Sequence, residues 1–360
     1  MDKRVGIVTG GGDCPGLNAV IRAVAKAAAR RGWEAIGIIG GYDGLLEPPR
    51  TLPLDYHALD GLLVRGGTIL GTANRGRFSA KTGHGQERQL PVELLAETRR
   101  SMAALGIDAL VSIGGDGSLS IAQQMHEYGI PVVGVPKTID NDVGGTLFTF
   151  GFASAVDCVT DAIDRLHTTA ESHGRVMVVE VMGRYAGWLA LYGGIAGGAD
   201  VILIPEVPFS YDAIVAKVQE REARNKHFTL VAVAEGAREK GGGFVTLTEQ
   251  PQNREARLGG IGAVVSAELE RRTGKESRVC VLGHLQRGGT PSPFDRALCS
   301  MFGTEAMDLV VAGDFGKMVA YLGTHVGAIT IARAVAKLKT VPPGSDMSLT
   351  ARALGICLGD

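Results

Sequence analysis

The chain alternates short apolar runs, glycines and segments of helical periodicity. "VGIVTGG" (residues 5–11) is followed by "LNAVIRAVAKAAARRG", "ALVSIGGDG" (109–117) by "SLSIAQQMHEYG", and "PVVGVP" (131–136) closes the series. Continuous β-branched runs without polar alternation read as strands buried on both faces. Their alternation with helices predicts a parallel sheet. In the first helix Leu17, Val20, Ile21 and Val24 fall on one face, and Gly32 after Arg30 and Arg31 is the expected stop.

A second series begins near residue 152. "RVMVVEVMG", "VILIPEVP" and "FTLVAVAEG" read as strands, and "DAIVAKVQEREARN" as an amphipathic helix. The expected fold class is α/β, with two similar lobes, each a mainly parallel sheet flanked by helices, and the active site in the cleft between them. The expected bounds are 1–151 plus about 291–335 for a donor-binding lobe and 152–290 plus about 336–360 for a sugar-phosphate lobe. Residues 74–98 are expected to begin as a polar loop and pass into a helix.

Composition narrows the class. The chain has 360 residues, 45% hydrophobic and 21% charged, enough to bury a core and long enough for two domains. Its 52 glycines against 5% aromatics suit tight turns and close backbone approaches. A net charge of −1 supplies no global field for nucleic acid or an anionic membrane, so an anionic ligand must be held by local Arg and Lys clusters. Five scattered cysteines without a CxxC pattern read as reduced thiols, not as a disulfide framework or a zinc site. The charged start "MDKRVGIVTGG" does not read as a signal peptide, and the apolar region 176–205 is interrupted by Glu180, Arg184 and Asp200. The expected location is the cytoplasm.

Three segments carry candidate chemistry. "TGGGDCPG" (9–16) follows a strand and opens a helix, where backbone amides favour an anion. Pro15 and Gly16 break the dinucleotide-binding spacing, and no Lys-Ser or Lys-Thr follows as a P-loop requires. "IGGDGSL" (113–119) repeats the arrangement and adds Asp116, a hard oxygen ligand suited to Mg²⁺ beside phosphates. The bland alternatives are a tight turn for the first loop and a helix cap for Asp116. Two such loops at strand carboxyl ends favour a ligand site.

"VPKTIDNDVGG" (135–145) packs Lys137, Thr138, Asp140 and Asp142 together. In an extended stretch positions i and i+2 share a side, so Thr138, Asp140 and Asp142 are expected to face one site. A neighbouring carboxylate raises a carboxyl pKa and makes a better base for a hydroxyl proton. The bland alternative is a pair of solvated turn aspartates. Arg175, Arg184, Arg278, His284 and Arg287, set among Gly and Met in apolar surroundings, are candidate phosphate binders.

With these segments in view, the sequence resembles the 6-phosphofructokinase family. The resemblance runs in family order through "GIVTGGGDCPGLNAVIR", "GGDGSL", "PKTIDND", "VVEVMGRYAG" and "GHLQRGGTPSPFDR", and is loose after about residue 315. It implies Mg²⁺-dependent transfer of a phosphoryl group to the C1 hydroxyl of fructose 6-phosphate, giving fructose 1,6-bisphosphate, a step of glycolysis. By motif, Asp140 would be the general base, Thr138 would contact the transferred phosphoryl, and Arg184 would assist it. Asp116, with Asp142 as a second candidate, would serve the metal. Gly12 and Arg75, or Arg77 in its place, would meet the donor's terminal phosphates, with Tyr42, Gly115, Gly117, Ser118 and Lys137 also on the donor side. Asp142, Met182, Gly183, Arg184 and Glu235 would hold the sugar, and Arg175, Arg278, His284 and Arg287 its 6-phosphate. The resemblance also implies a homotetramer in which Arg175 and Arg278 reach in from a neighbouring subunit.

Two positions bear on the donor. Gly117 leaves room for a nucleotide α-phosphate where pyrophosphate-using relatives carry Asp, whereas Lys137 is the residue typical of those pyrophosphate users. ATP is the expected donor, because any nucleotide needs the open position and an extra cation suits either donor. Pyrophosphate and ADP are the alternatives. Effector control by a nucleoside diphosphate or phosphoenolpyruvate rests on Arg22, Arg224 and Lys226, with His167, His227 and Asp200 replacing the residues expected beside them. A catalytically silent sugar-phosphate-sensing subunit is the non-enzyme alternative, and the presence of Asp116, Thr138 and Asp140 argues against it. A lipid or NAD kinase would explain "GGDG" and leave "PKTIDND" and "GHLQRGG" unexplained.

Overall fold

The computed structural model describes residues 3–73, 76–78, 81–82, 86–246 and 258–360. In chain order the first elements are β1 (Lys3–Thr9), α1 (Leu17–Arg30), β2 (Trp33–Ile38), β3 (Thr51–Pro53), and a short pair β4 (Lys81–Thr82) and β5 (Gln86–Glu87). Next come α2 (Val92–Ala104), β6 (Ala109–Gly114), α3 (Asp116–Glu127), β7 (Val132–Pro136), α4 (Phe152–His173) and β8 (Val176–Val181). The chain continues through α5 (Trp188–Ala196), β9 (Val201–Leu203), α6 (Tyr211–Ala223), β10 (Thr229–Ala234), α7 (Ile261–Thr273) and β11 (Ser277–Val281). The last elements are α8 (Pro293–Ala312), β12 (Lys317–Tyr321), β13 (Val326–Thr330), α9 (Ile331–Val335) and α10 (Asp346–Ala353).

These elements sort into two units. Unit 1 is Met1–Ile139, Val143–Ser154 and Arg287–Leu338; unit 2 is Asp140–Asp142, Ala155–Gln286 and Lys339–Asp360. Unit 1 holds a seven-stranded sheet in the order β13-β12-β7-β6-β1-β2-β3. Its interior pairs are parallel, and only the edge pairs β2–β3 and β12–β13 run antiparallel. Every residue of β6 and β7 is buried, as expected of uninterrupted apolar runs covered on both faces. Its core includes Ile38, Leu110, Leu119, Met125, Val132 and Met318.

The first helix ends where its sequence predicts. Arg31 donates its backbone N–H back to Ala28, and Gly32 takes φ +71°, the left-handed geometry that terminates a helix. At the other end Gly16 has φ +110°, and a Cβ there would lie 2.8 Å from both Cys299 Sγ and Phe150. A side chain is therefore opposed by conformation and by space.

Unit 2 holds a four-stranded sheet, all parallel, in the order β11-β8-β10-β9. Alternate residues of β8 feed two cores: Met177, Val179 and Val181 on one face, Val176 and Val178 on the other. Strand β9 is only three residues long, shorter than "VILIPEVP" suggested. Pro205 lacks the N–H needed to continue a ladder. Strand β11 is a sheet edge, with Val279 40% and Val281 55% exposed. Between residues 74 and 98, the helix begins at Val92 and the β4–β5 pair lies inside the stretch read as a loop. No helix among the described residues is long and apolar enough to cross a membrane.

Candidate functional site

In unit 1, β1, β6 and β7 are consecutive neighbours and parallel, with Thr9 opposite Ile113 and Gly114 opposite Pro136. Their carboxyl ends therefore deliver Gly10–Gly12, Gly114–Ser118 and Lys137–Thr138 side by side. The first two loops pack tightly: a Cβ at Gly10 would lie 2.5 Å from Ser118 Oγ, and one at Gly114 would collide with the Ser118 side chain. Glycine is required at both positions because the Ser118 side chain fills the space a Cβ would take, which periodicity does not reveal. By contrast, nothing lies within 4 Å of a Cβ built on Gly117. Asp116 occupies the first turn of α3. A carboxylate there is favoured by the helix dipole.

Two cations close on the first loop. Lys137, 3% exposed, donates from Nζ to the Gly12 carbonyl. Arg287 donates from Nη1 to the Asp13 carbonyl at 3.1 Å, and a Cβ on Gly12 would sit 2.8 Å from that nitrogen. Arg287 thus lies on the glycine loop of unit 1. Tyr42 occupies a supporting position rather than an exposed face: its hydroxyl shares a 2.5 Å hydrogen bond with Ser112 Oγ and donates to the Ser118 carbonyl at 2.8 Å. Burial raises its hydroxyl above the usual tyrosine range. The Cys14 thiol, pushed up to about 12 by burial, is held protonated. Arg77 pairs in bidentate fashion with Glu97 at 2.8 and 3.2 Å. Arg75 lies outside the described residues.

In unit 2 the carboxyl ends of β11, β8 and β10 adjoin. Beyond them come His284 and Gln286, Met182–Arg184 and Glu235. The Glu235 N–H donates to Val181 O at 2.8 Å and the Gly236 N–H to Gly183 O at 3.1 Å, joining two of these ends. Gln286 Oε1 accepts from the Met182 N–H at 3.3 Å, joining the third. Gly183 has φ +135°, and a Cβ there would lie 2.9 Å from Ala186 O. His284 is exposed. Arg175 and Arg278 sit at the opposite, amino end of the same strands. Arg175 Nε donates to Glu276 Oε2 at 2.6 Å, and Arg278 pairs with the other oxygen of Glu276. A six-residue strand separates Arg175 from Met182 by about 20 Å. Asp200, weighed above as an effector contact, accepts from Arg221 at 2.5 Å and from the Leu230 N–H at 2.9 Å, so its carboxylate is used within the unit.

The acidic segment corrects one expectation. Residues 138–142 are not extended throughout: Ile139 and Asp140 form a turn, and Asn141 directly after it has φ +51°. The i, i+2 alternation therefore does not apply. Asn and Asp tolerate left-handed geometry that β-branched residues resist, so the composition that suggested a site also permits the turn. The chain contributes Asp140–Asp142 to unit 2 and returns to unit 1 at Val143.

One residue near this segment has no counterpart in the sequence reading. Lys339 donates from Nζ to Asn141 Oδ1 at 2.8 Å, and its backbone N–H donates to Asp142 O at 2.8 Å. Burial pushes its ammonium down to about 8, against the opposing pull of Asp142. Because the folded value lies below the unfolded value of 10.5, the charged form is a cost to the fold that is fully present below about pH 8 and relieved as pH rises toward 10.5. Wild-type stability relative to Lys339→Met is therefore expected to rise across that window in a urea series from pH 7 to 10. A flat difference would contradict the depressed ionisation.

A phosphofructokinase family model matches residues 4–310. The chain belongs to the phosphofructokinase family. A relative from Chloroflexus aggregans named ATP-dependent 6-phosphofructokinase is 50% identical, over 99% of this chain and 98% of its own. A relative from Amycolatopsis methanolica named pyrophosphate–fructose 6-phosphate 1-phosphotransferase is also 50% identical, over 94% of this chain and 96% of its own. Among solved structures, the phosphofructokinase of Saccharomyces cerevisiae superposes with a TM-score of 0.81 at 31% identity. That match covers 93% of this family member and 45% of the yeast chain.

Proposed function

We propose that this chain is a 6-phosphofructokinase that transfers the terminal phosphoryl group of ATP to the C1 hydroxyl of fructose 6-phosphate. The observation that carries the reading is the trio of adjacent parallel strand ends bearing two glycine loops, Asp116 and Lys137–Thr138. Backbone amides and the Lys137 ammonium there suit the phosphates of a donor, and the strand ends of unit 2, with Met182, Gly183, Arg184, Glu235 and His284, suit a sugar phosphate. In the proposed step Asp140 takes the C1 hydroxyl proton as that oxygen bonds to the terminal phosphorus, while the bond to the bridging oxygen breaks and ADP leaves. Thr138 and Arg184 steady the phosphoryl in flight, Asp142 helps orient the sugar, and Arg287 and His284 serve its 6-phosphate. The protein's work is mostly positioning and neutralising charge.

Asp116 fits Mg²⁺, which binds through one or two carboxylates and completes its octahedron with water and phosphate oxygens. When bound, the ion would neutralise charge on the transferring phosphates. Arg175 and Arg278, about 20 Å along the strands from Met182, are proposed to serve a second copy of the chain across the exposed edge of β11. That role would require an oligomer.

Gly117 favours ATP, since the space beside it is open. Pyrophosphate is the second reading: Lys137 reaches the Gly12 carbonyl, next to where a terminal phosphate would lie. Initial rates with fructose 6-phosphate and Mg²⁺, comparing ATP, ADP and pyrophosphate at equal concentration, are expected to be highest with ATP. A clear preference for pyrophosphate would assign the donor choice to Lys137.

A further inference from the structure

We infer that Lys339 is a positioning residue for phosphoryl transfer, holding Asp140–Asp142 in working geometry through the side chain of Asn141. The inference rests on the proposed reading of Asp140 as the base.

The geometry rests on few contacts. Asn141, 2% exposed, is one of two non-glycine residues at positive φ among the described residues. Such a conformation persists where its surroundings impose it. Here the Lys339 ammonium fixes the Asn141 amide oxygen while the Lys339 N–H fixes the carbonyl of Asp142. Lys339 is itself held: Trp188 Nε1 donates to its carbonyl at 2.8 Å, and its ammonium lies 5.7 Å from the centre of the Trp188 ring. Trp188 opens α5, directly after the "MGRYAG" strand end. Two residues on, the Val341 N–H donates to Glu206 Oε1 at 2.7 Å, and that carboxylate also accepts from the Gly187 N–H at 3.0 and 3.1 Å. Residues 339–341 thus strap the acidic turn to the segment after β8 within unit 2.

A base displaced by an ångström loses rate, whereas a sugar phosphate held by other strand ends still binds. Removing the strap should therefore lower kcat more than it raises KM. The test is steady-state kinetics of the full chain with Lys339→Met, Lys339→Arg and Asn141→Ala, beside melting curves and fructose 6-phosphate titrations. Lys339→Met is expected to lose about 10- to 100-fold in kcat, with KM for fructose 6-phosphate within about threefold of wild type. Lys339→Arg, which keeps a cationic donor, should recover most of the loss. Asn141→Ala should match Lys339→Met, and combining the two should add little, as for residues acting through one bond. Should Lys339→Met fail to fold, Asn141→Ala carries the same comparison. Unchanged kcat in both variants, or a loss confined to KM, would overturn the inference. Asp140→Ser separates the two readings: if it is inactive while Lys339→Met turns over normally, only the strap fails, and if it turns over normally, the base assignment fails.

Discussion

Asp140→Ser is expected to lower kcat by about three orders of magnitude while fructose 6-phosphate still binds within a few-fold of the wild-type affinity. A positioned general base contributes about 10²- to 10⁴-fold, and serine at this place can neither accept the hydroxyl proton at neutral pH nor hold negative charge. Binding should survive because the sugar phosphate would be held mainly from the ends of β8, β10 and β11. Those ends are joined by backbone bonds between Glu235 and Val181 and between Gly236 and Gly183 that the substitution does not touch. Rapid-quench turnover together with calorimetric titration of the sugar phosphate reads both quantities. Turnover within tenfold of wild type would remove Asp140 as the base, whatever its binding.

Gly117→Asp should change donor choice without unfolding the protein. Nothing lies within 4 Å of a Cβ at position 117, so the protein itself accommodates the side chain and the melting temperature should hold. A carboxylate there would face the α-phosphate of a nucleotide, and such a like-charge contact costs several kcal/mol. We expect kcat/KM with ATP to fall by about 100-fold or more, while pyrophosphate, which has no α-phosphate, is spared. Equal losses with both donors would mean that the new carboxylate disturbs the loop and not the nucleotide. Undiminished ATP use would leave Lys137 as the better guide to the donor. The two relatives at 50% identity bear names with different donors, so this substitution tests the point on which overall similarity is silent.

Periodicity and composition were enough for β1, β6, β7, β8 and β10 and for their carboxyl ends, whereas β2, β3, β11, β12 and β13 carry no pattern that the sequence reading picked out. The runs "VGIVTGG", "ALVSIGGDG" and "RVMVVEVMG" could hardly be anything but buried parallel strands, because no polar alternation offers them a wet face. The stop at Gly32, too, follows from local conformational preference. The acidic turn was misread in its backbone, since a run of Thr, Asp and Asn suits extended and left-handed geometry alike, and only tertiary bonds choose between them.

What the chain determined unaided is the kind of chemistry. Glycines after strands, a lone aspartate at a helix start and a cluster of Lys, Thr and Asp favour a phosphate ligand, because residue type sets charge and donor geometry. Tertiary structure decided which of these groups meet. It set Arg287 on the glycine loop and paired Arg77 with Glu97. It also buried Tyr42 beneath Ser118 and brought Lys339 to Asn141 across 198 residues of chain. Such meetings depend on strand order and on the packing of distant segments, and no local pattern carries that information.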